Sequence, residues 1–428
     1  METGAPLAPA QGHGQNLAWL PRGYELTVLV LLGLAFGFAY FDRMALTFLG
    51  PQVQADLSLS NAQLGWLGSG LSLTWALGAY FVGRWSDRIG KRKPFLLAAL
   101  VVFSLCSVLS GLAWSFGSLL ASRIVMGAAE GPFLPICLAI MVAASADSRK
   151  GLNAGIVQNV FGSLIGTMVA PIVLTRIAEA YDWRTAFMLA GIPGLVLAGL
   201  IWRYIAEPGR PTGADAVVPE KLSLASEWRE LTTLLTAHNI QFCALVSVFA
   251  VGSIVAGSIF MPVYLTGPLG FDALTVSNVM AVVGICPAVG AVLAGLLSER
   301  IGRKRALVLF TSLMMIAPAA LLWIDGAAST LTVFMFVGWM GLGSFPLFMG
   351  IIPAETLGRA RAATAMGLVV AIGELVGGVF APPLAGWLGD NYGLDAALYL
   401  QLALAALAGL TALFVRETNP RLLKGLAA

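Results

Sequence analysis

Residues 83–93 read Gly-Arg-Trp-Ser-Asp-Arg-Ile-Gly-Lys-Arg-Lys, and residues 295–305 read Gly-Leu-Leu-Ser-Glu-Arg-Ile-Gly-Arg-Lys-Arg. The two segments share both glycines, an acidic residue followed by arginine, and a basic end. They lie half a chain length apart, and each follows the second long apolar run of its half. This spacing indicates an internal duplication, so the chain consists of two similar units.

The composition is that of a membrane protein. Of the 428 residues, 58% are hydrophobic and 11% are charged, whereas soluble domains have roughly 45–50% apolar and about 25% charged residues. These values exclude a soluble globular enzyme and a disordered chain. A helix needs about 20 apolar residues to cross a bilayer. The sequence predicts twelve spans, at 25–49, 62–83, 94–114, 117–143, 153–176, 184–206, 238–266, 275–297, 306–324, 329–351, 362–388 and 394–415.

We therefore expect an all-α membrane protein whose twelve transmembrane helices form two pseudo-symmetric six-helix bundles. A flexible cytoplasmic N-terminus precedes the first bundle, and a cytoplasmic linker loop and a cytoplasmic tail flank the second. The predicted units are 1–22 (N-terminus), 23–206 (first bundle), 207–235 (linker), 236–416 (second bundle) and 417–428 (tail). A duplicated six-span unit is typical of transporters that bind their substrate between the two bundles.

The basic residues predict the orientation. Of the 25 Lys and Arg residues, 21 fall on the side of the two termini, and only Arg176 and Arg184 fall on the opposite side. Cytoplasmic loops carry the excess of Lys and Arg. Both termini are therefore predicted in the cytoplasm, in a multi-pass protein of the plasma membrane (the bacterial inner membrane).

Five charged residues lie in the interior of predicted spans, away from the span ends: Asp42, Arg43, Arg123, Glu130 and Glu374. A charge at the centre of a membrane helix costs about 2.5–3.5 kcal/mol, so five unpaired charges facing lipid would cost on the order of 10–15 kcal/mol. These groups are expected to face one another or a hydrated cavity. Arg123 and Glu130 share a helix face about 10 Å apart, too far for a hydrogen bond between them.

Two arginines against three carboxylates leave a net charge of −1 when all five are ionised. Burial and like charge favour the protonated form of a carboxylate, so at least one of the three is a candidate proton carrier. An Arg guanidinium offers a bidentate fork to carboxylate or phosphate. In the predicted mechanism, protonation of Asp42 or Glu130 releases an arginine, which then binds an anionic substrate.

The loops at 83–93 and 295–305 resemble the G-x-x-x-D/E-R-x-G-R/K-R/K signature of the major facilitator superfamily. The resemblance covers nearly the whole chain and implies two bundles that rock about a central cavity. It also implies a cytoplasmic gate formed by Asp87, Arg88, Glu299 and Arg300. The alternative is that these four residues serve only to orient the protein in the membrane.

Two further motifs resemble the anion:cation symporter family, which transports sugar acids, aromatic acids and related organic anions, usually with protons. They are Phe-Asp-Arg-Met-Ala-Leu at 41–46 and Arg-Ile-Val-Met-Gly-Ala-Ala-Glu-Gly-Pro at 123–132. Tyr80 and Gln158 match family positions that line the site. The resemblance implies substrate-binding roles for Arg43, Arg123, Tyr80 and Gln158, and proton-coupling roles for Asp42 and Glu130.

Three alternatives stay open. The same charged pattern occurs in spinster-type transporters of lysolipids and other amphiphiles. Glu374 stands where the symporter pattern has Asn, so it is a second proton site, a contact for a positive substrate group, or a protonated structural residue. The purely structural alternative for all five groups is an ion-pair network between helices.

Other classes of function lack a sequence signal. The two histidines, His13 and His238, lie far apart, and the four cysteines are isolated in apolar runs, so no metal site is expected. The chain has no G-x-x-x-x-G-K-[ST] loop, and its net charge of +3 gives no reason to expect a nucleic-acid partner. We expect a monomeric symporter of small organic anions, not an enzyme, with no cofactor and a proton gradient as energy source.

Overall fold

The computed structural model describes residues 23–146, 148–208, 232–324, 326–358, 361–420 and 422. Within these residues each of the twelve predicted spans coincides with one long helical segment. Eleven of the segments have the length and apolar composition of a membrane-crossing helix, and α2, with 29 residues, is the twelfth. The helices are α1 Tyr24–Leu57, α2 Asn61–Ile89, α3 Lys93–Gly111, α4 Phe116–Ala144, α5 Lys150–Ala180, α6 Trp183–Tyr204, α7 His238–Thr266, α8 Ala273–Ile301, α9 Arg303–Trp323, α10 Ala328–Leu357, α11 Thr364–Tyr392 and α12 Leu394–Ala412.

The all-α architecture with two six-helix halves, α1–α6 and α7–α12, is the predicted one. The predicted N-terminus 1–22, most of the linker 207–235 and most of the tail 417–428 lie outside the described residues. Nothing in the structure bears on those three predictions.

The first helix is longer than the sequence predicts. It continues through Pro51 to Leu57 and ends at Ser58, whose backbone is left-handed (φ 52°). A proline inside a helix removes one backbone hydrogen bond. Leu49 and Val53, on either side of Pro51, are fully buried, so they pack closely against neighbouring helices. This burial offsets the lost hydrogen bond, so the helix continues.

One buried apolar cluster joins the two halves. It includes Leu49 and Leu64 from the first half and Ile259 and Ala385 from the second. Other clusters lie within a single half. Apolar contact between the halves is therefore concentrated where α1 ends and α2 begins.

Helices α2 and α11, which belong to different halves, approach each other so closely that their backbones are in contact. At Gly65 a side chain would collide with the backbone of Pro382 and Pro383, so only glycine permits this approach. Farther along, the Ser69 hydroxyl donates a hydrogen bond to the Val379 carbonyl oxygen at 2.6 Å. The two helices thus touch backbone to backbone.

The beginning of α2 is bound by a carboxylate from the other half. The two carboxylate oxygens of Asp390 accept hydrogen bonds from the backbone N–H groups of Asn61 and Ala62 at 2.8 and 2.9 Å. The first N–H groups of a helix have no partner within the helix and carry a positive partial charge. Asp390 therefore links the halves by a charge-assisted contact.

Helices α5 and α8 form the second contact, where the Thr167 hydroxyl donates to the Gly284 carbonyl oxygen at 2.6 Å. We call the end of the bundle that contains Asn61 and Asp390 the closed end. The opposite end, which carries the basic loops 83–93 and 295–305, is called the basic end.

At the basic end each half repeats one capping contact. Glu207 accepts hydrogen bonds from the backbone N–H groups of residues 92 and 93 at 2.6 and 3.0 Å. Glu417 does the same for residues 303 and 304 at 2.8 and 3.2 Å. The internal duplication therefore extends to a glutamate after the last helix of each half, a feature that was not predicted from the sequence.

The predicted gate residues lie at the basic end. Arg88, Glu299 and Arg300 are exposed, and the side chain of Asp87 is outside the described part of the chain. Their gate role remains a prediction from the family resemblance.

We expect Asp390→Asn to weaken the closed end, because a neutral amide loses the charge that stabilises the α2 N-terminus. A hydrogen bond to a charged group contributes about 1.5–3 kcal/mol, so the ratio of closed to open molecules should fall about tenfold. Spin labels at Tyr181 and Tyr392, both exposed at this end, would report the distance between the halves.

The matched control is Asp395→Asn, since Asp395 accepts a hydrogen bond from Tyr264 within the second half (2.7 Å). The native cysteines are buried and should not compete for label. Identical distance distributions in the wild type and the Asp390→Asn variant would contradict the assigned role.

Candidate functional site

The five ionisable residues of the spans converge in the structure. Asp42 and Arg123 are fully buried and Glu130 is 5% exposed, while Arg43 and Glu374 are partly buried. Asp42 interacts electrostatically with Arg123, and Glu130 interacts with both arginines. Glu374, from the other half, interacts with Arg43. The charged cluster, as we call these five side chains, therefore includes groups from both halves.

Members of the charged cluster do not form ion pairs with one another in the described part of the chain, where the salt bridges join other residues. Several of their buried atoms have no hydrogen-bond partner, namely Asp42 Oδ2, Glu130 Oε1, Glu374 Oε2, Arg123 Nε and Arg123 Nη2. Leaving a buried polar group unpaired costs about 1–3 kcal/mol, and each such group in a native structure needs an explanation. This arrangement excludes a tight structural ion-pair network in the conformation described.

Aromatic rings, rather than carboxylates, hold the two guanidinium groups. The Arg123 guanidinium lies 4.9 Å from the ring centroid of Phe187, and that of Arg43 lies 5.1 Å from Trp75. Nη1 of Arg123 also lies 3.4 Å from the Met126 sulfur atom. A cation–π contact uses the flat face of the guanidinium and leaves its N–H edge available. For Arg123, Nε and Nη2, which form one forked edge of the guanidinium, have no hydrogen-bond partner, so this edge can bind an anion.

Glycines of the 123–132 motif position the fourth helix. A side chain at Gly127 would collide with the Leu71 carbonyl group, and one at Gly131 would collide with the backbone of Trp75. Helix α4 therefore packs directly on the backbone of α2. This close packing sets Trp75, the platform of Arg43, beside the helix that carries Glu130.

Three of the candidate site residues lie at or beside irregular parts of helices. Helix α4 is interrupted directly after Glu130, at Gly131 and Pro132. Glu374 lies in the π-helical segment Gly373–Gly378 of α11, and Gln158 lies in a second π-helical segment, Ile156–Val169 of α5. Such segments occur frequently at functional sites. They change the direction in which a side chain projects, and no residue pattern in the sequence revealed them.

Tyr80 and Gln158, the other two predicted substrate-binding residues, are more exposed than the members of the charged cluster. Tyr80 is 50% exposed, and its hydroxyl accepts a hydrogen bond from Arg84 at 2.9 Å. Gln158 is exposed. Their roles in substrate binding remain predictions from the family resemblance.

Three contacts of the charged cluster were not foreseen from the sequence. Trp75 and Phe187 support the arginines, and Ser107 of α3 hydrogen-bonds to Asp42. Each is one of many aromatic or hydroxyl residues in the spans. Only their positions relative to the cluster distinguish them, so the sequence contained no usable signal.

A cavity of about 420 Å³ lies apart from the cluster, toward the closed end between α1, α5, α7 and α8. Its walls are apolar or neutral, with Phe48, Pro262 and Met280 among the former and Gln52 and Thr266 among the latter. Because its walls include no charged side chain, this cavity cannot neutralise an anion. The charged cluster is therefore the candidate site for a charged ligand.

The sequence profile of the Major Facilitator Superfamily matches residues 32–348 and 242–428. The chain is 27% identical over 410 residues to the "Hexuronate transporter" of Bacillus subtilis (strain 168), covering 92% of this chain and 95% of the relative. It is 25% identical over 378 residues to the "Sialic acid transporter NanX" of Escherichia coli (strain K12), covering 86% and 88% of the two chains.

Among solved structures, the fold is similar to that of a bacterial homologue of the human lysosomal transporter Spinster, in an inward-facing and occupied conformation. The TM-score is 0.76 at 18% sequence identity, and the match covers 92% of this chain and 97% of the other. At this identity the likeness concerns the fold. Two profile matches that span both halves, together with the shared fold, show that the chain belongs to the Major Facilitator Superfamily and is a multi-pass membrane transporter.

Proposed function

We propose that this transporter imports a small organic anion together with protons by alternating access. The observation that carries the proposal is the pair of guanidinium groups that rest on aromatic rings inside a buried cluster, with unpaired N–H groups on Arg123. Such a group provides the bidentate fork that a carboxylate fits.

The relatives favour a carboxylate as the substrate. Hexuronates and sialic acids, named in the two relatives, are sugars that carry a carboxylate at neutral pH. A sugar acid is therefore the first candidate, and aromatic and other carboxylates of similar size follow. The proton gradient drives this transport, and no cofactor takes part.

Charge counting explains why protons should accompany the anion. The charged cluster has a net charge of −1 when its five groups are ionised, and a bound monoanion makes it −2. Each uncompensated charge inside the membrane costs about 2.5–3.5 kcal/mol. One proton on a carboxylate restores the resting charge, and a second makes the loaded site neutral. Substrate and proton thus favour the same state, and their binding is coupled.

The excess of basic residues at one end predicts that both termini lie on the cytoplasmic side of the bacterial inner membrane. With this orientation the closed end would face the periplasm. Arg43 and Glu374 come from different halves, so a bound anion would act on both halves at once. Protonation of Asp42, Glu130 or Glu374 would change the charge that surrounds the bound anion.

Uptake into proteoliposomes with an acidic exterior tests the substrate class. We expect accumulation of a hexuronate or sialic acid, with an aromatic carboxylate and a lysophospholipid as comparison substrates. Arg123→Lys should lower the apparent affinity at least tenfold, since an ammonium group cannot form the bidentate contact. Arg203→Lys is the control, because Arg203 also lies over an aromatic ring, Tyr204, but outside the cluster.

Transport of the lysophospholipid alone would overturn the proposal in favour of an amphiphile transporter. Near-normal carboxylate affinity of correctly folded Arg123→Lys protein would remove Arg123 from the binding site. Thermal unfolding of each variant in detergent checks the folded state.

Proton coupling is tested separately. Asp42→Asn and Glu130→Gln should each abolish accumulation driven by a pH gradient, because neither side chain can then bind and release a proton. Exchange of internal for external substrate should survive in at least one of them. Glu179→Gln, at an exposed position near the end of α5, serves as the control. Full, pH-dependent accumulation in both cluster variants would show that protons couple elsewhere.

A further inference from the structure

Ser107 contacts two hydrogen-bond acceptors with a single hydroxyl proton. Its Oγ lies 2.5 Å from Oδ1 of Asp42 and 2.8 Å from the backbone carbonyl oxygen of Phe187. A serine hydroxyl donates one hydrogen bond and accepts others. It cannot donate to both atoms at once, so the protonation state of Asp42 decides which contacts are hydrogen bonds.

A protonated Asp42 satisfies both contacts. Its O–H group donates to Oγ of Ser107, and the Ser107 hydroxyl donates to the Phe187 carbonyl oxygen. An ionised Asp42 requires the Ser107 hydroxyl to turn toward the carboxylate. The Phe187 carbonyl oxygen then faces the lone pairs of Ser107, which is a repulsive contact. The distances in the structure therefore match the protonated form.

The rest of the Asp42 environment agrees with this assignment. Oδ2 of Asp42 is buried without a hydrogen-bond partner, and the salt bridges of the described residues do not include Asp42. An ionised carboxylate offers about four acceptor positions, most of which would stay empty here. The charged and titratable groups that act on Asp42 are Arg123 and Glu130 of α4 and Cys106 of α3.

We call the contacts from Asp42 through Ser107 to Phe187 the relay. Phe187 connects the relay to Arg123. Its carbonyl group meets Ser107, and its ring supports the Arg123 guanidinium at 4.9 Å. Loss of the Asp42 proton has two effects in the same direction. The Ser107 hydroxyl leaves Phe187, and the bare Asp42 carboxylate attracts Arg123 away from the ring and from any anion it holds.

We infer that Ser107 is a positioning residue whose hydroxyl changes its hydrogen-bond partner with the protonation state of Asp42. Through Phe187, this change links the protonation state of Asp42 to the availability of Arg123 for the anion. The inference rests on the proposed proton-coupled transport of an anion. It assigns to Ser107 no contact with the substrate. Its role is to make the charge of Asp42 and the position of Arg123 change together.

Ser107→Ala tests the relay and leaves Asp42 and Arg123 in place. Without the hydroxyl, a protonated Asp42 loses the acceptor of its O–H group and the Phe187 carbonyl oxygen loses its donor, while an ionised Asp42 no longer forces the Ser107–Phe187 repulsion. The pH midpoint of substrate exchange should therefore fall by about one unit. Accumulation driven by a pH gradient should fall about fivefold or more, while affinity at acidic pH stays within about threefold. Ser107→Thr, which retains a hydroxyl, should restore the wild-type pH profile.

The matched control is Ser110→Ala. Ser110 lies one turn away on α3, is equally buried, and bonds to the Cys106 carbonyl oxygen instead of Asp42. Its loss should leave the pH midpoint unchanged. An unchanged midpoint in folded Ser107→Ala protein, or an equal shift in Ser110→Ala, would overturn the inference.

Infrared difference spectroscopy provides a readout that does not depend on transport. A carboxylic-acid C=O band that is absent in Asp42→Asn belongs to protonated Asp42, and it should move to higher wavenumber in Ser107→Ala, where the acid loses its acceptor. The absence of such a band at acidic pH, or its insensitivity to Ser107→Ala, would refute the relay. Wild-type protein whose uptake shows no pH dependence would instead refute the proposed symport.

Discussion

The cost of keeping ionisable groups inside a membrane is the constraint on which this structure depends. Asp42, Arg43, Arg123, Glu130 and Glu374 lie within spans, where solvation by water is weak. The fold meets this cost by bringing them together and by placing aromatic rings under the two cations. It leaves several of their atoms unpaired. In the proposed function the arginines bind the anion, and protons on the carboxylates compensate the added negative charge.

Two helices connect this site to the contact between the halves. Helix α2 carries Trp75, under Arg43, and its first N–H groups are held by Asp390. Helix α11 carries Glu374 in a π-helical segment and Asp390 near its end. A change in the position of Arg43 or Glu374 therefore acts on the same pair of helices whose packing closes one end of the bundle. This geometry is what the proposed alternating access requires, because the same two helices carry site residues and the contact between the halves.

The sequence allowed the architecture to be predicted almost completely. Long apolar runs and the duplicated loops led to twelve helices in two halves, because the hydrocarbon core of a bilayer admits few other structures. The end of α1 was missed by eight residues, since the apolar pattern could not show that burial around Pro51 offsets its missing hydrogen bond. The glutamates that cap α3 and α9, Glu207 and Glu417, also escaped notice, because a capping role depends on which helix start lies nearby.

By itself the sequence determined which ionisable residues lie in the spans, and therefore which residues must find partners away from lipid, because transfer cost depends on residue type and on depth in the membrane. Only the tertiary structure decided how they are arranged. It set the arginines on Trp75 and Phe187, brought Glu374 from the second half to Arg43, and placed Ser107 between Asp42 and Phe187. These relations depend on helix packing, on the interruption after Glu130 and on π-helical segments. They join residues far apart in the chain, and such distances are set by the fold as a whole.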